Sequence, residues 1–295
     1  MMNRKKVCIL GGSGFLGRCL IREMVKTGVK LIVFDCNPLV DPPENVNLIT
    51  GDVRRFNDLK TVMANCDVVF HLISCGMTGQ ELLRKDVVYG VNVEGTKEVL
   101  RACVYCCVPS LVYASSVNVV FGGEPIIDGT EEQLPYYPEH LQKDFYSKTK
   151  AIAEKLVLEA DGMQHSNGST KLRTTALRFN FIYGPGDERQ IPRALNIIKR
   201  GFFVATWGYK PLVQYVSGEN CAQALRLAAE ALTPESNYIA SRKAYFIADG
   251  PPISSWDLWL ALVPIYKRPV PKARLPYWLV YLFVSIWEHL ILFAG

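Results

Sequence analysis

The chain has 295 residues, 49% of them apolar and 21% charged, with a net charge of +5. That length gives one large or two modest domains with a sizeable buried core. Lysine and arginine are scattered, with no basic stripe interleaved with aromatics, which argues against a nucleic-acid partner. The mild positive excess suits a solvated surface as well as docking to an anionic membrane face.

Met1-Met2-Asn3-Arg4-Lys5-Lys6 resembles the basic start of a leader, but Val7-Cys8-Ile9-Leu10 is too short an apolar run for a signal sequence, which needs about 7–15 residues. The run is instead a buried strand. It is followed by Gly11-Gly12-Ser13-Gly14-Phe15-Leu16-Gly17 and a helical pattern over 18–27. Glycines at 11, 14 and 17 permit a tight turn and close approach of backbone to a pyrophosphate, with the next helix aimed at it. A second strand over 29–34 leads to Asp35, placed where a carboxylate accepts hydrogen bonds from ribose hydroxyls. A carboxylate repels a 2′-phosphate, and Cys36-Asn37-Pro38 supplies no arginine to hold one. The expected cofactor is therefore NAD rather than NADP.

Further strands are predicted over 46–50, 67–73, 110–114 and 174–179, with helices over 56–65, 91–105 and 145–158. Alternation of this kind implies a parallel sheet covered by helices on both faces. Ligands of such sheets bind at the carboxyl ends of the strands. The glycine loop, Asp35, Asp52, Ser74, Ser116 and Gly184 all fall at those ends. The helix at 145–158 carries Tyr146-Ser147-Lys148-Thr149-Lys150, with a phenol and an ammonium one turn apart on one face. A neighbouring ammonium favours the phenolate, which would let Tyr146 exchange a proton with a substrate oxygen.

Nine cysteines at irregular spacing point to a reducing compartment. Cys103-x-x-Cys106-Cys107 has no second Cys/His pair of matching spacing, so no metal is expected. His71, at a strand end, reads as a packing or hydrogen-bonding residue.

Taken in order, these segments resemble the extended short-chain dehydrogenase/reductases. The match runs through the glycine loop, Asp35, Gly51-Asp52-Val53-Arg54, Val91-Asn92-Val93-Glu94-Gly95-Thr96, Ser115-Ser116, Tyr146 to Lys150 and Leu177-Arg178…Tyr183-Gly184-Pro185-Gly186. Within that family the chain resembles the 3β-hydroxysteroid dehydrogenase/isomerase branch, and most closely the family 42E proteins. That likeness rests on His71-Leu72-Ile73-Ser74-Cys75-Gly76-Met77, on Leu111-Val112-Tyr113-Ala114-Ser115-Ser116-Val117-Asn118-Val119-Val120-Phe121-Gly122-Gly123 and on Ala244-Tyr245-Phe246-Ile247-Ala248-Asp249-Gly250.

The resemblance implies an α/β fold: a Rossmann doubly wound parallel sheet with a smaller, discontinuous C-terminal substrate region. It implies a catalytic set of Tyr146 as acid/base, Lys150 and Ser116, with Ser115 as the neighbouring alternative. The cofactor-binding residues would be Gly11, Gly14, Phe15, Leu16, Gly17, Asp35, Asp52, Val53 and Lys150. Asp52 and Val53 would bracket the adenine, and Asn92 would support the helix on the lysine side. A homodimer through the helices at 91–105 and 146–158 is implied as well. Two positions depart from the pattern: Phe179 stands where many relatives have proline, and Glu219 where they commonly have aspartate.

The expected division is a nucleotide domain over 1–179 and a substrate region over 180–295. Within the latter, 213–250 partly returns to the sheet, through a strand near 244–248 and an apolar helix. The tail 275–295 is apolar on every face except at Glu288 and His289; 276–295 as a helix is about 30 Å long, near bilayer thickness. Trp278, Tyr281 and Trp287 suit a membrane interface. Three readings stay open: a spanning helix, a helix lying on the bilayer, or the wall of a greasy pocket. The chain is expected to stop short of the hydroxysteroid relatives. Localisation is expected to be intracellular, either cytoplasmic or on a membrane such as the endoplasmic reticulum. The leading functional expectation is NAD-dependent oxidation of a secondary alcohol on a steroid- or sterol-like substrate. A nucleotide-sugar epimerase or dehydratase and a non-catalytic NAD-binding protein are the alternatives.

Overall fold

The computed structural model describes residues 5–39, 43, 46–77, 79–208 and 211–294. Residues 1–4 and Gly295, which entered the leader and tail readings, lie outside the described residues. In chain order the elements are β1 (Lys6–Leu10), α1 (Phe15–Val25), β2 (Lys30–Asp35), β3 (Val46–Thr50), α2 (Phe56–Met63), β4 (Val68–His71), α3 (Lys85–Tyr89), a π-helical turn (Gly90–Glu94), α4 (Gly95–Tyr105), β5 (Ser110–Ser116), α5 (Phe145–Glu159), β6 (Arg173–Phe179) and β7 (Phe181–Tyr183). They continue with α6 (Gln190–Lys199), β8 (Ala205–Trp207), β9 (Leu212–Val213), β10 (Tyr215–Ser217), α7 (Gly218–Glu230), β11 (Lys243–Ile247), β12 (Ile253–Ser254), α8 (Ser255–Leu262), β13 (Ala273–Leu275) and α9 (Tyr277–Ala294).

The main sheet has seven strands in the order β11-β6-β5-β4-β1-β2-β3, and every pairing in it is parallel. Such strands are buried on both faces, which is why β1, β4 and β5 read as nearly continuous apolar runs rather than alternating ones. One core lies between the sheet and α1 and α7, built from residues such as Val7, Leu20, Val33, Ala222 and Leu225. The other lies beneath α2, α4 and α5, with Leu10, Leu59, Val99, Tyr113 and Val157. The outer strand β11 would expose its backbone donors. Glu131 closes part of that edge by accepting the Phe246 N–H at 2.6 Å.

Strand order reverses at β1, which pairs with β2 on one side and β4 on the other. In a doubly wound sheet the ligand crevice opens at such a reversal, outside the carboxyl ends of the strands. The glycine loop leaves β1 there. The predicted helix at 91–105 proves to be composite, since Gly90–Glu94 is π-helical before α4 begins. Single π turns inside helices commonly mark functional positions.

The chain divides into two compact units, Met1–Gly184 with Val216–Asp249, and Pro185–Tyr215 with Gly250–Gly295. The division thus falls after Gly184 rather than Phe179, and the segment returning to the sheet begins at Val216 rather than 213. In the second unit, β9 pairs antiparallel with β12 and β8 pairs parallel with β13. Trp207 meets Trp256 edge-on with centroids 4.4 Å apart. Along α9 the side chains of Tyr277, Trp278, Phe283 and Trp287 are all exposed.

Candidate active site

The glycine loop is packed against itself. Gly11 has φ +94°, a left-handed conformation that side chains disfavour. A Cβ on Gly17 would lie 2.2 Å from the Gly11 carbonyl oxygen, and one on Gly12 would lie 2.3 Å from Val33 Cγ1. Gly14 is different. Its backbone is extended (φ −69°, ψ 166°), and an added Cβ would meet its nearest heavy atom at an ordinary 3.5 Å. The protein itself therefore does not require glycine at 14. Space is kept there on the outer side of the loop, at the N-terminus of α1. That helix has no side-chain cap and no acid in its first turn, so its leading N–H groups suit a pyrophosphate. Phe15 and Leu16 turn their side chains into the core, leaving their backbone to serve such a ligand. Gly12 was not among the glycines singled out from spacing; only the packing of β2 beneath it reveals its role.

Asp35 is buried at the end of β2. One carboxylate oxygen accepts the Ser13 N–H and the other the Asn37 N–H, both at 3.0 Å. Each oxygen retains a further lone pair for a ribose hydroxyl. Asp52 pairs with Arg54, whose Nη2 donates at 2.5 Å, and this guanidinium holds the Asp52 carboxyl below its usual range. Val53 is buried against the position of Gly95, so its side chain serves packing. A Gly14 cradle, an uncapped helix start and a carboxylate at the second strand end together fit a dinucleotide.

On the other side of the strand reversal stands α5. Asp144 caps it by accepting the Ser147 N–H at 3.1 Å. Tyr146 and Lys150 project from this helix toward the sheet, and both are buried. Lys150 Nζ donates to the Ala114 carbonyl at 2.6 Å and lies 4.0 Å from the Tyr113 ring centroid. Burial pushes the lysine down to about 7, opposed by the negative charge of Glu154. Burial likewise pushes the Tyr146 phenol up to about 12, opposed by a hydrogen bond with Ser74. The direction is opposite to that expected from the Tyr-x-x-x-Lys spacing alone. Desolvation of the buried phenolate sets the direction, and the Asp144 charge adds to it.

Both serine candidates lie at the end of β5. Alternation puts Ser115 on the Tyr113 side of the strand, toward α5, and its hydroxyl is buried with no partner among the described residues. Ser116 is half-buried and accepts the Asn118 N–H at 3.2 Å, capping a short turn. Asn92, in the π turn, clamps the exit of β4 by accepting the Cys75 N–H at 2.9 Å and donating to its carbonyl at 3.0 Å. It also donates to Thr149 Oγ1 at 2.9 Å, and Thr149 donates to the Tyr146 carbonyl. Beneath it, Thr96 donates to the Asn92 carbonyl and so accepts from His71 Nε2–H at 2.9 Å. Sequence spacing did not disclose the Thr149 and Thr96 links, since they join segments far apart in the chain.

Residues 8–276 match the 3-beta hydroxysteroid dehydrogenase/isomerase family. The chain belongs to that family. It is 42% identical over 295 residues to short-chain dehydrogenase/reductase family 42E member 1 of Homo sapiens, covering 98% of this chain and 75% of that protein. The Xenopus laevis protein of the same name is 41% identical over 293 residues, covering 99% of this chain and 76% of that protein. The human sterol-4-alpha-carboxylate 3-dehydrogenase, decarboxylating, is 32% identical over 278 residues, covering 94% and 71%. Among solved structures, an epimerase of Methanothermobacter thermautotrophicus superposes with a TM-score of 0.76 at 20% identity, covering 93% of this chain and 81% of that one. MoeE5, solved in complex with UDP-glucose and NAD, gives 0.71 at 26% identity, covering 92% and 85%. The hydroxysteroid dehydrogenase family is thus carried here on the nucleotide-binding α/β fold of the extended short-chain dehydrogenases.

Proposed function

We propose that this hydroxysteroid dehydrogenase family member is an NAD-dependent oxidoreductase that oxidises a secondary alcohol on a steroid- or sterol-like substrate. The observation that carries the reading is the Tyr146–Lys150 pair, set on one sheet edge with a glycine loop whose Gly14 keeps space that the protein does not itself fill. NAD, when bound, supplies the hydride acceptor. Tyr146 carries the proton, as base toward an alcohol or as acid toward a carbonyl. Without ligand it is a phenol, ready for the acid role. Lys150 supplies the positive charge that favours the phenolate for the base role. Ser116 holds the substrate oxygen, and Ser115 is the alternative to be separated from it by single alanine variants. The likeness to human sterol-4-alpha-carboxylate 3-dehydrogenase supports a sterol-like substrate.

We further propose that α9 rests on a membrane surface, from which such a substrate arrives. Among the described residues no helix is long and apolar enough to cross a membrane. The exposed aromatics of α9 suit an interfacial position, and the exposed Lys267, Arg268, Lys272 and Arg274 just before it suit anionic headgroups.

A second reading, turnover of a nucleotide sugar, is favoured by the likeness to MoeE5 with its UDP-glucose. The deciding experiment is NAD reduction with a panel of 3β-hydroxysteroids and sterols, run beside UDP-sugars. Steroid-dependent reduction is expected in the wild type. Tyr146→Phe is expected to bind NAD normally and to lose all but a few per cent of turnover. Turnover of UDP-sugars alone would install the second reading.

A further inference from the structure

Three residues one turn apart on α5 face the sheet: Tyr146, Lys150 and, one turn further on, Glu154, which is fully buried. A buried carboxylate persists where hydrogen bonds satisfy it. Here Glu154 Oε1 accepts from Arg178 Nε at 3.0 Å, from Arg178 Nη2 at 2.7 Å and from the Tyr136 hydroxyl at 2.8 Å. Oε2 receives one long contact, 3.3 Å from Arg178 Nε. The carboxylate is therefore anchored at one oxygen and lightly used at the other.

The surroundings of Lys150 are otherwise poor in negative charge. From β4 it faces His71, which is neutral because burial lowers it to about 3. From β5 it faces the Tyr113 ring, whose phenol burial keeps protonated. On α5 it has the protonated Tyr146 on one side and Glu154 on the other. From β6 comes the cationic Arg178, and from the segment before α5 the Tyr136 phenol, both bound to Glu154. Among the described residues, Glu154 is the anion that opposes the cost of burying the ammonium.

We propose that Glu154 is a positioning residue for the Tyr146–Lys150 pair: it keeps the positive charge on Lys150 inside the protein, and Arg178 with Tyr136 fix the carboxylate for that task. The inference rests on the proposed oxidoreductase reading for its purpose, but its physical content concerns the ligand-free protein. Arg178 moderates the effect, because it neutralises part of the carboxylate's field. Loss of Glu154 and loss of Arg178 therefore act on Lys150 in opposite directions.

The test is the titration of Lys150 in protein labelled with ¹³C at the lysine ε-carbon, followed by NMR without cofactor. Lys150→Met assigns the resonance. Glu154→Gln leaves Arg178 buried and unpaired and risks unfolding. The double variant Glu154→Gln/Arg178→Met removes both charges together and serves as the main arm. In it the Lys150 midpoint is expected to fall by about one unit or more, leaving the amine largely neutral at pH 7. Glu154→Asp is expected to keep part of the shift, and Arg178→Met alone to raise the midpoint. A folded double variant whose Lys150 titrates as in the wild type would overturn the proposal and leave the buried pair a stability element only. The outcome is separable from the function. Steroid turnover with an unmoved Lys150 removes this inference alone, and a moved Lys150 without turnover removes the oxidoreductase reading alone.

Discussion

His71 shows how a single buried side chain makes this protein sensitive to acid. Its Nε2–H is committed to Thr96, while Nδ1 is buried with no partner among the described residues. The folded protein resists a proton there down to about 3, against 6.5 for the free side chain. Between those values the unfolded chain binds one proton more than the native one. The His71 contribution is thus complete above pH 6.5 and is lost as pH falls toward 3. His71→Gln keeps an amide donor for Thr96 and does not titrate. It is expected to be less stable than the wild type at pH 7.5, with the gap closing by roughly 3 kcal/mol at pH 4.5. Thermal melts at both values decide it; a gap independent of pH would show that the imidazole is not held neutral.

At the scale of elements, the glycine loop and α1 separate two reasons for a glycine. Gly17 meets backbone of the loop itself, so Gly17→Ala is expected to destabilise the ligand-free protein as well as to abolish NAD binding. Gly14→Ala meets nothing closer than an ordinary contact. It is expected to leave the melting temperature of the free protein within about 2 °C, roughly the effect of 1 kcal/mol or less. It should still erase the upward shift that NAD produces by mass action. If Gly14→Ala kept a full NAD-dependent shift, the dinucleotide would not lie on this loop. The π turn before α4 makes a similar point about elements. Its sequence, Gly90-Val91-Asn92-Val93-Glu94, reads as ordinary helix. The widened turn that lets Asn92 reach Cys75 and Thr149 depends on what packs around it.

For the molecule as a whole, α9 offers apolar and aromatic side chains to solvent along its described length. If it rests on a bilayer, flotation with vesicles should recover the protein best with anionic lipid. Salt should weaken that recovery by screening the basic segment before the helix. Trp278→Ser combined with Phe283→Ser should reduce recovery several-fold. Equal recovery of the double variant, or none of the wild type, would mean that something other than a membrane covers the helix.

Much of the sheet was legible because parallel strands are buried on both faces, so β1, β4 and β5 stand out as short apolar runs bounded by turns. Its parallel order followed from alternation with helices, and that order alone carried Asp35, Ser116 and the glycine loop to one edge. The Tyr146–Lys150 pairing was legible from helical periodicity, and the same four-residue step continued to Glu154 would have reached the third member of that face. What the sequence determined by itself was therefore local: element type, strand-end position and the chemistry offered there. Tertiary structure decided the charge state of those groups. Whether Tyr146 is phenol or phenolate, and Lys150 ammonium or amine, depends on water excluded by β4, β5 and β6 and on a carboxylate held by Arg178. Solvation and long-range charge belong to the packed fold, and no spacing along the chain encodes them directly.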